Sequence, residues 1–413
     1  MFIILAGFAL VMPFLSLLLI SLYYLQYKKP VQSAVLYGFA AAATFYNYIP
    51  DAGNDSIRHM YNLRYYMGIP IWKCFDAGHY TQTYVWDLWC WIVAQFKLPY
   101  LLPATGAFVG YALTMYLALD YCNLIEASKK TRIIAILLAF LMSSPVGIAI
   151  GIRNSNAFLI CILGMYLCEI RHRPKVLGLM LMITGVLIHH SALLLLVMWI
   201  IYPLFKKKPL RVGIVVGIAL LSLTIISNYV LNAFSGSNWI IQMIIDTFKG
   251  ATAYQTDNNY NAAVSTNLKY KIDSINSILM IVLMLARCKM SSRSQEIYSV
   301  NNKLVLNTLR LSELFSIVTF ALMLVLTING GRYTSVARMF AFLSMLVSYQ
   351  DVPHMPRTKN QMIILCVDIC IIITVLMSVA LSVYTLTWGN ASVESLVGGL
   401  LGGVLYSIIT LFP

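Results

Sequence analysis

Apolar stretches about as long as a lipid bilayer is thick recur along this 413-residue chain, separated by short polar or basic segments. A helix that crosses a bilayer needs roughly 20 apolar residues. Runs of about that length lie near 2–24, 31–49, 101–121, 133–151, 154–170, 176–190, 191–205, 211–231, 272–287, 304–328, 334–350, 362–386 and 393–412. The pattern predicts an all-α, polytopic integral membrane protein with about thirteen transmembrane helices, forming a single domain over residues 1–413.

One segment, residues 80–97, interrupts this count because it is rich in Trp and Tyr and contains Asp87. Counting it as a span would invert every later loop and place the basic clusters outside the cell. Trp and Tyr favour the headgroup region, so the segment is predicted to be a re-entrant or interfacial helix. Two long polar loops, near 50–79 and 232–271, are expected on the extracytoplasmic side.

The composition is typical of a membrane protein, and this class changes how the net positive charge is interpreted. Hydrophobic residues make up 60% of the chain and charged residues 11%, and the formal net charge is +14. Six basic clusters lie between apolar runs: Lys28 and Lys29; Lys129, Lys130 and Arg132; Arg171, Arg173 and Lys175; Lys206, Lys207, Lys208 and Arg211; Arg287, Lys289 and Arg293; Arg357 and Lys359. All six face the cytoplasm if the amino terminus starts outside, with the first run as an uncleaved anchor. The charge therefore indicates topology, and no nucleic-acid binding is expected.

Three polar junctions fall on the opposite, extracytoplasmic face: 151–154, 188–191 and 330–333. An ionisable residue within or at the edge of a bilayer costs roughly 2.5–3.5 kcal/mol, so each one is a functional hypothesis. The planar guanidinium groups of Arg153 and Arg332 suit bidentate binding of phosphate, and Arg338 follows six residues later. Several Arg side chains on one face predict a polyanionic ligand such as a diphosphate. The alternative for Arg153 is a side chain that extends from a helix end to the membrane interface.

The loop near 50–79 opens with the densest extracytoplasmic cluster of polar residues. If the chain beyond Asp55 is helical, Asp55 and His59 are four residues apart and share a face. Arg58 and Tyr61, three residues apart, do the same. The alternative is a solvated loop with local salt bridges of little energetic value.

His189 and His190 end an apolar run next to Ser191. Neighbouring residues of a helix point about 100° apart, so the two rings cannot both face one substrate. No metal-ligand spacing, Walker loop, dinucleotide fingerprint or nucleophile elbow occurs in the sequence. The sequence thus predicts no metal and no cofactor, with the energy for reaction supplied by an activated, lipid-linked substrate.

At these positions the chain resembles the EpsG-like, Wzy-type polysaccharide polymerases. Gly-Ile-Arg-Asn-Ser-Asn-Ala at 151–157 is similar to the family's aliphatic-Arg-Gln-x-x-Ala element. Ile-His-His-Ser-Ala-Leu at 188–193 is similar to its Phe-His-x-Ser-Ala element. Asp55 followed by Tyr61 is similar to its acidic and aromatic motif, and the Arg-containing segment 330–340 suits its late Arg element.

Two positions depart from the family pattern. Asn154 stands where the family has Gln, and Ile188 stands where it has an aromatic residue. By position, His189 and not His190 matches the family's His.

The resemblance implies a GT-C-like, metal-independent glycosyltransferase in the bacterial inner membrane, with its active site facing the periplasm or cell exterior. Such an enzyme transfers a growing glycan from undecaprenyl diphosphate to the next lipid-linked oligosaccharide repeat unit. The product is O-antigen, capsule or exopolysaccharide. Membrane lipid, a chain-length regulator and a flippase of the same pathway are the expected partners.

Within this scheme each candidate residue has an expected role. The diphosphate would be bound by the side chains of Arg58, Arg153, Arg332 and Arg338. Either Asp55 or His189 would deprotonate the acceptor hydroxyl. Tyr61 and Asn154 would bind the glycan.

Two alternative functions stay open at this point. An O-antigen ligase-type glycosyltransferase shares the topology and the lipid donor, but normally has one larger periplasmic loop. The two loops here are about 30 and about 40 residues long, which favours the polymerase. A flippase or other transporter would place charges at mid-membrane in broken helices, with Asp87, Asp120 and Asp368 as examples.

Overall fold

The computed structural model describes most of the chain: residues 1–46, 48, 55–77, 83–142, 148, 151–207, 211–219, 222, 268–293, 302–326, 333–349, 359–386, 395 and 397–405. Within these ranges every regular element is helical, which confirms the all-α class. The helices pack into two compact units, one formed by Met1–Leu193 with Ser382–Pro413 and the other by Leu194–Leu381. That the whole chain acts as one domain stays a prediction.

The first unit contains α1 (Phe2–Val11), α2 (Pro13–Tyr27), α3 (Pro30–Tyr46), α4 (Asp55–Asn62), α5 (Cys74–Ala77), α6 (Tyr84–Gln95), α7 (Leu101–Leu124), α8 (Lys129–Met142), α9 (Ile152–Met165) and α10 (Lys175–Ile188). The second is built mainly from α11 (Leu193–Lys207), α12 (Leu268–Arg293), α13 (Asn302–Leu326), α14 (Thr334–Ser348) and α15 (Lys359–Leu386). Short 3₁₀ helices lie at Leu63–Tyr65, Ile71–Lys73 and His190–Ala192.

Several of these helices have the length and composition of membrane spans. Among the described residues, five stretches are long and apolar enough to cross a bilayer: Leu101–Leu124, His190–Lys207, Lys271–Ser291, Lys303–Met323 and Asn360–Ala380. Four shorter helices, α1, α2, α10 and α14, are also apolar. The protein is therefore a helical membrane protein. The total of about thirteen spans stays a prediction.

The first apolar run is a kinked pair of helices and not one continuous helix. Met12 has φ −132° and ψ 71°, outside the helical region, between α1 and α2. Pro13 has no backbone N–H, and its ring disfavours a helical conformation in the residue before it. Because α3 packs against both α1 and α2, the kinked pair is held against a common neighbour. The prediction of a single anchor helix over 2–24 is wrong at Met12.

In the first unit, a buried carboxylate joins α7 to the π-helical turn Tyr166–Ile170 that follows α9. Arg171 Nε donates to Asp120 Oδ2 at 2.7 Å, and the Tyr166 hydroxyl donates to the same oxygen at 2.7 Å. The side chain of Asp120 is 2% exposed. A buried charge needs such partners, since removing one of them typically costs about 3–5 kcal/mol. Asp120 therefore stabilises the packing of these helices.

The second unit has a comparable buried ion pair. The guanidinium of Arg287 donates to Asp368, to Ser344 Oγ at 2.6 Å and to Ser348 Oγ at 3.2 Å. The side chains of Arg287 and Asp368 are 1% and 0% exposed. These contacts connect α12, α14 and α15, so Asp368 is also explained by packing.

Helices α9 and α10 approach each other unusually closely because glycine lies at their contact. A Cβ atom on Gly178 would lie 3.0 Å from the carbonyl oxygen of Gly164. One on Gly185 would lie 2.4 Å from Cys161 Sγ and 2.8 Å from the carbonyl oxygen of Ala157. Gly178 and Gly185 are seven residues apart and so occupy one face of α10. In lipid, close packing of small residues is a main source of helix association.

We expect Gly185→Ala to separate α9 from α10, because the added methyl group meets backbone that cannot move independently. The expected loss of stability is about 1–3 kcal/mol, as for other overpacked interiors. The measurement is the melting temperature of the full-length protein in detergent. The matched control is Gly7→Ala, where nothing lies within 4 Å of the added atom. Equal melting temperatures for Gly185→Ala and wild type would contradict the close contact.

Candidate functional site

A chain of hydrogen bonds connects the start of α9 to the end of α10. The Ser191 hydroxyl donates to Asn154 Oδ1 at 3.0 Å, although the two residues are 37 positions apart. Ser191 Oγ also lies 2.7 Å from His189 Nδ1, and the Ser191 backbone N–H donates to that nitrogen at 3.1 Å. The structure thus brings together two of the three polar junctions predicted from the sequence.

The conformation of His189 follows from its position at the end of α10. Its backbone is extended, with φ −152° and ψ 122°, so the helix stops there and the chain turns into the 3₁₀ helix His190–Ala192. A neutral His189 ring that accepts the Ser191 N–H at Nδ1 carries its proton on Nε2 and donates from there. A ring that donates from Nδ1 to Ser191 Oγ, whose own proton goes to Asn154, instead leaves Nε2 as an acceptor.

Arg153 lies in the first turn of α9, directly before Asn154, and its side chain is half-buried. The start of this helix is fixed to α7 by Asn156, whose Nδ2 donates to the carbonyl oxygen of Gly106 at 3.2 Å. The charge of Arg153 acts on both His59 and Asp87. Arg153 therefore stands within electrostatic range of two residues that are far from it in the sequence.

Helix α4 separates its polar residues into an exposed and a buried set. Asp55 and Arg58 form an exposed ion pair, with Arg58 Nη2 2.9 Å from Asp55 Oδ1. The Tyr61 side chain is 66% exposed, whereas His59 is only 4% exposed. Helical periodicity therefore places Asp55, Arg58 and Tyr61 toward solvent and His59 toward the protein interior.

Asp87 is a buried residue that sequence reasoning singled out only as a possible transporter charge. It is 1% exposed and accepts a hydrogen bond from the Tyr66 hydroxyl at 2.8 Å. Its neighbour Trp86 packs edge-on against His59, with ring centroids 5.0 Å apart. Helix α6 has 12 residues, too few for a span, and packs against α5, α7 and α10. In the sequence, the signal for this residue was the presence of Asp87 within a segment rich in Trp and Tyr.

Burial shifts the pKa values of His59 and Asp87 in opposite directions. For His59, burial and then the Arg153 charge lower the pKa to about 3, so the ring is neutral at physiological pH. For Asp87, burial raises the pKa to about 6, although the Tyr66 hydrogen bond and the Arg153 charge oppose the shift. Asp87 can therefore change its charge near neutral pH.

The other Arg residues predicted to bind the diphosphate lie elsewhere in the chain. Arg338 is in α14 of the second unit and is 8% exposed; its Nε makes no hydrogen bond within the described residues, and the charge of Asp273 acts on it. Arg332 lies outside the described residues. The convergence of Arg58, Arg153, Arg332 and Arg338 on one ligand thus stays a prediction. In the part of the chain described here, no group of three or more His, Cys, Asp or Glu could hold a metal ion.

We expect His59→Asn to remove one source of acid sensitivity. The folded-state pKa of His59 is lowered to about 3, so His59 favours the folded state fully above its unfolded pKa of about 6.5 and progressively less below it. Between about pH 7.5 and about pH 5, the variant should gain about 2 kcal/mol of stability relative to wild type.

The measurement is the difference in melting temperature between His59→Asn and wild type at the two pH values. Asp87 is present in both proteins, so its opposite pH dependence cancels in the difference. The control is His172→Asn at an exposed histidine, which should show no such change. A pH-independent difference for His59→Asn would contradict a buried, neutral His59.

The chain matches the model of a known protein family. The family model described as the EpsG family matches residues 57–390, which is more than three quarters of the 413-residue chain. No curated protein and no solved structure matches the chain significantly. The matched range includes both elements joined by the Ser191–Asn154 hydrogen bond, and it begins two residues after Asp55. The resemblance noted from the sequence is thereby confirmed, and the chain belongs to the EpsG family.

Proposed function

We propose that this protein polymerises undecaprenyl-diphosphate-linked oligosaccharide repeat units at the extracytoplasmic face of the bacterial inner membrane. EpsG family membership supports a polysaccharide polymerase, a glycosyltransferase-type activity. The observation that carries the proposal is the hydrogen-bonded connection from His189 through Ser191 to Asn154, directly beside Arg153. This connection joins the segment that contains Arg153 to the segment that contains His189, at the ends of two apolar helices.

In the proposed reaction the acceptor hydroxyl attacks the anomeric carbon of the growing glycan. The bond from that carbon to the diphosphate oxygen breaks, and undecaprenyl diphosphate leaves with the electron pair. Arg153 would bind the diphosphate and stabilise its developing charge, as preorganised cations do in other transfers. The expected supporting ligands are Arg58, Arg332 and Arg338.

The proton of the acceptor hydroxyl must pass to a base. His189 can accept this proton at Nε2 when its Nδ1–H donates to Ser191 Oγ, and it can donate to a substrate oxygen when Nδ1 accepts the Ser191 N–H. Asp55 and His189 are therefore both proposed as candidates for the base. The exposed position of Asp55 and Tyr61 on α4 suits contact with a long glycan that approaches from outside, while Asn154 would contact the glycan nearer to Arg153.

The wider setting is part of the same proposal. About thirteen spans in a GT-C-like arrangement would hold the site at the periplasmic or exterior surface, open to lipid. The reaction would need neither metal nor cofactor, because the diphosphate bond of the donor supplies the energy. Membrane lipid, a chain-length regulator and a flippase of the same pathway are the proposed partners.

Deletion of the gene, followed by gel analysis of the surface glycan, tests the proposed reaction. A polymerase predicts loss of the long-chain ladder with a single capped repeat unit remaining. Accumulation of lipid-linked polymer with loss of every glycan-bearing band would instead indicate a ligase. Accumulation of single units on the cytoplasmic face would indicate a flippase.

We expect Arg153→Lys to reduce chain growth by at least about hundredfold, because Lys keeps the charge but loses the planar, bidentate guanidinium. The measurement is glycan chain length in the deletion strain complemented with the variant at matched protein level. The control is Arg173→Lys, the same change at an exposed residue in a basic cluster. Wild-type chain lengths in Arg153→Lys would remove Arg153 from the diphosphate site.

A further inference from the structure

The hydroxyl of Ser191 lies between a ring nitrogen and an amide oxygen, and it has one proton to donate. Ser191 Oγ donates to Asn154 Oδ1 at 3.0 Å and lies 2.7 Å from His189 Nδ1. Because the amide oxygen can only accept, the Ser191 O–H is directed to Asn154. The 2.7 Å contact is then a hydrogen bond only if His189 Nδ1 carries a proton and donates to Ser191 Oγ. In a neutral ring, this leaves Nε2 as an acceptor.

The backbone N–H of Ser191 competes for the same ring nitrogen. It lies 3.1 Å from His189 Nδ1 and donates to it when the neutral ring has its proton on Nε2. The hydroxyl contact is shorter, at 2.7 Å, and it continues to Asn154, so the two successive hydrogen bonds strengthen each other. The two groups of Ser191 therefore favour opposite tautomers, and the hydroxyl is the one that favours an acceptor at Nε2.

The backbone around the ring is fixed by short hydrogen bonds. The His189 N–H donates to the carbonyl oxygen of Gly185 at 2.9 Å, and the Ala192 N–H donates to the carbonyl oxygen of His189 at 2.9 Å. The side chains of His189, Ser191 and Asn154 are half-buried, so they combine a fixed backbone with partial exposure. A rigid surrounding shell is what precise placement of a reacting side chain requires.

We propose that Ser191 is a positioning residue that makes His189 the base of the reaction, by accepting the Nδ1–H of His189 and donating its own O–H to Asn154. This inference rests on the proposed function, in which a sugar hydroxyl attacks the anomeric carbon. The O–H bond of that hydroxyl breaks, and its proton binds His189 Nε2. Its oxygen forms the new glycosidic bond while the diphosphate leaves with the electron pair of the old one. Ser191 keeps its proton, and the imidazolium later loses the Nε2 proton to water.

The Ser191 hydroxyl matters most once the ring is protonated. Both nitrogens of an imidazolium are donors, so Nδ1 can no longer accept the Ser191 N–H and needs an acceptor of its own. Ser191 Oγ is in place for this at 2.7 Å. Asn154 would contact the glycan through Nδ2, since its Oδ1 faces Ser191.

The test uses the full-length protein in lipid nanodiscs, with lipid-linked repeat units extracted from the gene-deletion strain as the substrate. Ser191→Ala removes the hydroxyl but keeps the backbone N–H, so His189 Nδ1 should lose its proton. Solid-state nitrogen NMR of isotope-labelled histidine measures this at about pH 8, where an ordinary imidazole is neutral. The His189 signal is assigned by its loss in His189→Gln. We expect kcat to fall about ten- to hundredfold with KM nearly unchanged, because a general base contributes about 10²–10⁴ in rate.

The matched control is Ser128→Ala, which removes a hydroxyl that accepts the backbone N–H of Thr131 at 3.2 Å just before α8. It should leave the His189 signal and kcat unchanged. A protonated Nδ1 in Ser191→Ala, an unprotonated Nδ1 in wild type, or equal kcat values would overturn the inference and leave the proposed function intact. If the wild-type protein does not extend the glycan, the proposed function fails, and the base role of His189 fails with it.

Asn154→Asp tests the far end of the same hydrogen-bond chain. A carboxylate accepts the Ser191 O–H more strongly and stabilises the protonated His189 ring. The ring must lose its proton before it can act as the base, so the acidic limb of the kcat/KM profile should move to higher pH by about 0.5–1 unit. Adding Ser191→Ala should reduce this shift by more than half. An unmoved limb in Asn154→Asp, or a shift of the same size in the double variant, would overturn the inference.

Other charged groups do not change in this comparison. Within the described residues, the charged and imidazole side chains on α10, on the turn after it and on the elements packed against them are Arg153, Asp87, Glu169, Lys175 and His190. All five are present in wild type and in each variant. Their effects on the pH profile therefore cancel in the difference.

Asn154→Leu covers the case in which Ser191→Ala does not fold, as judged by its melting temperature. The Ser191 hydroxyl then loses the acceptor for its own proton and should donate to His189 Nδ1 instead. We expect an unprotonated Nδ1 and a lower kcat. A protonated Nδ1 in the folded Asn154→Leu protein would overturn the inference.

Discussion

The candidate site depends on the close approach of α9 and α10. Helices lined by larger side chains pack with their axes about 8–10 Å apart. Here Gly178 and Gly185 bring backbone against backbone. That contact places Asn154, at the start of one helix, within a single hydrogen bond of Ser191, just beyond the end of the other. Between helices in lipid there is little hydrophobic driving force, so small residues and interhelical hydrogen bonds decide such arrangements.

The buried carboxylates of this protein have different kinds of partner. Asp120 and Asp368 each form a direct ion pair with an Arg side chain and hold helices together. Asp87 accepts a hydrogen bond from Tyr66 and feels the Arg153 charge, and its pKa is raised to about 6 by burial. With a pKa near neutrality, Asp87 can change its charge when the charge around it changes.

The segment between α3 and α7 divides its polar side chains between the interior and the surface. Its short helices bury His59 and Asp87 and leave Asp55 and Tyr61 exposed. The exposed groups are those that the proposed function assigns to contact with a long glycan.

The sequence alone determined the membrane class, the helical fold and the family, because apolar runs of bilayer length and the elements at 151–157 and 188–193 are local patterns. The alternation of spans also predicted that Arg153 and His189 share one face. Only the tertiary structure decided the contacts of Ser191, Tyr66 and Asp87. Their contacts join segments far apart in the chain and depend on how side chains pack, which neither periodicity nor charge patterning encodes.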